Sequence, residues 1–142
     1  MNRRDSLQKL VLGGTVLFLA PSVLQSCSKD NGADPTPPGP KPGQNITIDL
    51  SLPENAALNN AGSSKIVQSI LVANTGTGFI ALSSICTHQG CTVGYNGTAN
   101  KIQCPCHGSE YSTTGSVLVG PAPAPLESYP VNKTGNILTI ST

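Results

Sequence analysis

Tryptophan is absent from the 142-residue chain, aromatic residues make up 4% of it, and only 11% of its residues are charged. Typical soluble domains carry about 25% charge. Eight Lys and Arg stand against seven Asp and Glu, with no basic cluster. Nucleic-acid binding through phosphate neutralisation is excluded on that ground. No apolar run is long enough to span a bilayer. The run from Leu10 to Ala20, ended by Pro21, would rise about 16 Å as a helix, against a hydrocarbon core of about 30 Å. Internal repeats, heptads and a glycine period are missing too, which removes collagen, coiled coil and multi-span membrane protein. What the chain has instead is 15 Gly and 12 Pro, and five Cys beside only two His. The first pair of numbers predicts turns and short strands rather than long helices. The second pair demands a chemical explanation.

The first 44 residues read as address and tether. Arg3 and Arg4 are followed by Leu7, Lys9 and the short apolar run, the layout of an export signal. The paired arginines resemble a twin-arginine signal, which is read on proteins exported already folded. Leu24-Gln25-Ser26-Cys27 resembles a bacterial lipobox. That resemblance implies cleavage after residue 26 and a lipidated Cys27, hence an exported protein of the periplasm or cell envelope, anchored to a membrane. Several acyl chains, at about 0.8 kcal/mol per buried CH₂, anchor stably without a spanning helix. Pro35, Pro37, Pro38, Pro40 and Pro42 then favour an extended, semi-rigid spacer. The predicted division is signal 1–26, tether 27–44 and domain 45–142.

From Asn45 the texture is that of an all-β domain. Ile46, Ile48 and Leu50 alternate with polar residues, as in a half-buried strand. Ile66 to Ala73 is an apolar run of central-strand length, and Thr75-Gly76-Thr77-Gly78 turns it into Phe79 to Ser83 as a hairpin. Further strands are predicted at 92–95, 101–103, 110–112, 117–119, 126–131 and 137–141. Gly, Pro and Asn separate them. No helical periodicity intervenes. This spacing predicts a small antiparallel sandwich or barrel, whose modest core would benefit from a cross-link or metal.

Four cysteines and both histidines fall in two segments, Cys86-Thr87-His88-Gln89-Gly90-Cys91 and Cys104-Pro105-Cys106-His107-Gly108-Ser109. A c-type haem needs C-x-x-C-H, and C-P-C-H is one residue short. A thioredoxin-like C-x-x-C is absent. Nucleophilic catalysis needs one activated thiol, not six such groups. Zinc held by two Cys and two His remains open.

Cys86-x-His88, fifteen intervening residues and Cys104-x-x-His107 resemble the two cluster-binding loops of Rieske iron–sulfur proteins, over roughly residues 66–131. The resemblance implies a Rieske-type fold with a two-loop cluster-binding subdomain and a [2Fe–2S] cluster. Cys86 and Cys104 would hold an inner iron, and His88 and His107 an outer, solvent-facing one. Such a core, when oxidised, carries no net charge, whereas a four-thiolate cluster is a dianion, so it accepts an electron more readily. In the high-potential branch of this family the residues matching Cys91 and Cys106 form a disulfide between the loops, which export would permit. Ser109 and Tyr111 match hydroxyl donors to a bridging sulfide and to a ligand sulfur, which raise the potential. Gly120-Pro121-Ala122-Pro123 resembles the loop that covers the cluster's third side. One position departs: cytochrome bc complexes usually carry Leu after the first ligand histidine, at the quinol-docking face, and here it is Gln89.

The resemblance therefore implies a one-electron carrier working between redox-protein partners, such as a cytochrome or a larger oxidoreductase. No residue set marks a substrate pocket, so no independent catalytic site is assigned. The alternatives are a small subunit of a quinol-oxidising bc-type or arsenite-oxidase-like enzyme, and a zinc-stabilised binding module.

Overall fold

Ile46, Ile48 and Leu50 are buried while Asn45 and Thr47 are exposed, so the alternation read from the sequence is the alternation of a strand. A computed structural model describes residues 39–142. The predicted export signal, Cys27 and most of the proline-rich stretch lie outside the described residues. Eleven strands and one 3₁₀ helix follow: β1 (Asn45–Asp49), the helix (Pro53–Asn59), β2 (Ser64–Val67), β3 (Ile70–Asn74), β4 (Phe79–Ser83), β5 (Gly94–Asn96), β6 (Lys101–Gln103), β7 (Glu110–Tyr111), β8 (Val117–Val119), β9 (Ser128–Tyr129), β10 (Val131–Thr134) and β11 (Ile137–Ser141). They form three sheets, ordered β1-β11-β10, β2-β3-β4-β9 and β5-β6-β7-β8. Every strand pair is antiparallel.

The middle sheet is buried on both faces. Ile70 and Val72 of β3 join a core with Ile46, Ile48, Leu58, Leu138 and Ile140. Leu71, on the opposite face of the same strand, joins a second core with Leu82, Val93, Ile102, Tyr111 and Leu126. Burial on two faces is why β3 reads as a continuous apolar run and not an alternating one. The second core also contains Cys86 and Cys104, so the third sheet and its loops are built around two thiols.

Three expectations needed correction. The run from Ile66 to Ala73 is not one strand: a tight turn at Gln68 and Ser69, both with positive φ (48° and 63°), folds it into the β2–β3 hairpin. Neither residue is Gly, Asn or Asp, so no turn signal was visible. The predicted strand 126–131 breaks at Pro130, which has no N–H to give a ladder. There the chain leaves β4 of the middle sheet, which β9 pairs, for β11 of the first, which β10 pairs. The 3₁₀ helix was not anticipated. Pro53 opens it, and Asn55 Nδ2 donates to the Asp49 carbonyl at 2.8 Å.

Candidate metal centre

The two Cys- and His-bearing segments fold as the same structure twice. In the first, the Gly90 N–H donates to the Cys86 carbonyl at 2.9 Å and the Cys86 N–H to the Cys91 carbonyl at 2.8 Å. In the second, Gly108 and Cys104 bond at 3.1 Å, and Cys104 and Ser109 at 2.8 Å, at the same offsets. Each finger closes on a glycine of positive φ, 76° at Gly90 and 74° at Gly108, a conformation that costs glycine nothing. The Ile85–Thr92 bridge roots the first finger. The β6–β7 hairpin roots the second. At its base the Lys101 ammonium meets the Glu110 carboxylate at 2.6 Å, and Gln103 Nε2 donates to the same carboxylate at 2.9 Å. These two donors hold the Glu110 carboxyl below the usual carboxylate range.

Both thiols are buried, Cys86 2% and Cys104 3% exposed. They lie against each other yet stay unpaired. Burial pushes the Cys86 thiol up. Hydrogen bonds to its sulfur from the Tyr111 hydroxyl, the His88 N–H, the Cys104 thiol and the Gln89 N–H outweigh that, and its net direction is down. Cys104 goes the other way. Burial dominates, the N–H groups of Cys106 and His107 oppose it, and the Cys86 sulfur adds to it. Two buried thiols this close lose one proton readily and the second with difficulty, because like charges repel at low dielectric. A cation between the sulfurs would replace the proton they share, so the pair can serve as thiolate ligands of a metal.

The imidazoles sit at the finger ends. Their Nδ1 atoms face each other at 3.2 Å, with the rings edge to face and centroids 4.7 Å apart. His88 is half-buried and His107 exposed. Two thiols inside and two imidazole nitrogens outside are the donors a [2Fe–2S] core with mixed ligation requires. Cys91 and Cys106 are joined in a disulfide that spans the fingers. The Sγ atoms of Cys91, Cys104 and Cys106 lie within 4.8 Å of one another. Because two of them share a bond, that trio offers a metal only the Cys104 thiolate.

Tyr111, fully buried, brings its hydroxyl within 3.2 Å of Cys86 Sγ. It accepts the Thr87 N–H at 3.3 Å, and its own proton has two acceptors in reach, the Cys86 sulfur and, at 3.3 Å, Thr87 Oγ1. Ser109, also fully buried, accepts the Ala122 N–H at 3.0 Å. That bond ties the second finger to the proline segment. Thr87 ties the first finger to the same segment, donating to the Ala124 carbonyl at 2.7 Å. The Gly120–Pro121 peptide in that segment is cis. Sequence reasoning passed over Thr87, because nothing local distinguishes it from any other loop threonine. Gln89 is exposed at the tip of the first finger.

Residues 51–130 match the Rieske [2Fe–2S] domain family. The chain is 37% identical over 133 residues to the cytochrome b6-f complex iron–sulfur subunit of Chlorobaculum tepidum, covering 91% of this chain and 69% of that one. It is 45% identical over 78 residues to the corresponding subunit of Prochlorococcus marinus MIT 9215, covering 49% of this chain and 44% of that one. Against the subunit of Chlorobaculum thiosulfatiphilum it is 40% identical, spanning 46% of that relative's length. The crystal structure of the cyanobacterial plasma membrane Rieske protein PetC3 from Synechocystis PCC 6803 is similar with a TM-score of 0.53 and 34% identity, covering 61% of this chain and 93% of that one. The ferredoxin of carbazole 1,9a-dioxygenase from Nocardioides aromaticivorans IC177, at 20% identity and a TM-score of 0.51, shares the fold. With sulfur donors within, nitrogen donors without and a disulfide across the fingers, the chain belongs to the Rieske family, whose cofactor is a [2Fe–2S] cluster.

Proposed function

We propose that this protein is an exported one-electron carrier, with Cys86 and Cys104 as thiolate ligands and His88 and His107 as imidazole ligands of its cluster. When bound, the cluster supplies one-electron redox chemistry at high potential. The observation that carries the reading is the division of the four cysteines: two buried thiols stay reduced beside two that are cross-linked. The chain's residues do the remaining work. Four backbone N–H groups and the Tyr111 hydroxyl lie in hydrogen-bond reach of the sulfurs, the disulfide holds the imidazole-bearing ends together, and Thr87 and Ser109 hold the proline segment over both fingers. Export by a twin-arginine signal and anchoring through a lipidated Cys27 complete the proposal. Among the described residues no helix is long and apolar enough to cross a membrane.

A second reading, a fixed subunit of a larger quinol-linked complex, is favoured by its relatives, which are cytochrome b6-f subunits. Gln89 in place of an apolar tip residue argues for a free carrier. The two separate by purification from native membranes: a stoichiometric large partner identifies the subunit. The reading common to both is tested by elemental analysis and EPR. Two irons per chain and a rhombic signal with mean g below two in the reduced protein are expected. Zinc with no iron would refute it, and Cys86→Ser with undiminished iron and signal would refute the ligand assignment.

A further inference from the structure

From Ile66 to Leu126 the chain carries only two side chains of permanent charge, Lys101 and Glu110. They neutralise each other at 2.6 Å. The lobe that bears both fingers thus offers no net fixed charge to steer a partner. On the same lobe, β8 is the terminal strand of its sheet. Edge strands are normally blunted by charged side chains. The segment Val117-Leu118-Val119 has none. Its pairing with β7 is bulged: Tyr111 opposes Val117 and Glu110 opposes Val119, so Leu118 is the extra residue. A bulge re-aims a side chain. Here it presents Leu118, 56% exposed, beside Val119, 49% exposed. The chain then runs directly into the exposed prolines 121, 123 and 125. That segment is bonded to both fingers through Ser109 and Thr87. An apolar, charge-free strip therefore continues from the sheet edge to the loops that carry the histidines.

We propose that this strip is the seat of the redox partner, and that the partner meets it with an uncharged, apolar protein face. The inference rests on the electron-transfer reading and adds to it the chemistry of the partner. A charged partner face would desolvate its ionic groups here against nothing of opposite sign. A lipid surface is the weaker match. The strip has no Trp or Phe to lodge at an interface and no Lys or Arg to attract anionic headgroups.

The test follows electron transfer from the reduced, cluster-loaded protein to membranes of its own source, by the visible absorbance of the cluster. The rate is expected to change by less than about twofold between about 20 and about 500 mM salt, since screening acts only on charge. Leu118→Glu is expected to slow it by roughly tenfold or more, and Val119→Glu to do the same. Leu118→Met should preserve it. The EPR signal and midpoint potential of all three should match the parent, which a damaged cluster site would not allow. A rate falling steeply with salt, or both Glu variants transferring at the parent rate, would overturn the proposal. So would binding to phosphatidylcholine vesicles, or a dimer in sedimentation, that Leu118→Glu abolishes. Those results would assign the strip to lipid or to a second copy. A parent protein with no EPR signal would refute the electron-transfer reading instead.

Discussion

Tyr111 acts on charge through one hydroxyl. Its O–H lies 3.2 Å from the Cys86 sulfur in a fully buried position. Donation to sulfur drains negative charge and favours the reduced state. A bond of that kind is worth about 1.4 kcal/mol, or about 59 mV for one electron. Tyr111→Phe and Ser109→Ala should each lower the midpoint potential by tens of millivolts in protein-film voltammetry, and unchanged potentials would remove both residues from the tuning role. Tyr129 gives a prediction of a different kind. Burial, with the Glu127 carboxylate accepting its O–H at 2.8 Å, pushes its phenol up to about 12. A folded-state value above the unfolded one of about 10 means the protonated form is favoured by folding. The contribution is full below about pH 10 and is lost as pH rises toward 12. Denaturation midpoints taken across that window should fall in the parent and fall less in Tyr129→Phe.

The fingers show what an element needs beyond its ligands. Their shared hydrogen-bond frame places the two histidines at different offsets, two residues after Cys86 and three after Cys104. The Cys91–Cys106 disulfide closes a sequence separation of 15 residues, which in the chain-entropy model is worth about 3 kcal/mol. Replacing both cysteines by serine should lower the urea midpoint accordingly and bleach the cluster at lower denaturant, and coincident unfolding curves would contradict this. Another contact ties the fingers' sheet to the middle one. A Cβ on Gly97, in the β5–β6 turn, would lie 2.4 Å from the Gly62 Cα, backbone against backbone. Gly97→Ala should therefore cost roughly 1–3 kcal/mol by overpacking. Gly94→Ala, with nothing within 4 Å, should be near neutral in the same thermal melts. Asn96-Gly97 reads as a turn in the sequence, but nothing local shows that Gly62 approaches it. Strand positions 101–103 and 117–119 were legible from local pattern and coincide with β6 and β7's neighbour β8. The β2–β3 turn was not, because Gln68 and Ser69 take positive φ without being residue types that favour it, and the Ser84 N–H bonds the Ser69 carbonyl at 2.8 Å from beyond the hairpin.

At the scale of the whole molecule, two cores share one sheet, and the second core encloses the sulfur donors. A cluster held by Cys86 and Cys104, at that depth, would bind the folded chain and not the unfolded one, so its loss would lower stability by mass action. Chelation of the iron should depress the melting temperature measured by calorimetry, and equal temperatures for loaded and stripped protein would contradict a buried site. The sequence by itself determined the Cys and His pattern and its spacing, the all-β class and the scarcity of charge, because these reside in residue identity and short-range order. The resemblance already implied the Cys91–Cys106 cross-link that the structure contains; only the tertiary structure decided that Thr87 and Ser109 clasp the proline segment and that a bulge turns Leu118 outward. Those outcomes depend on contacts between strands and loops distant in the chain, and the energies that select them arise only once both cores are packed.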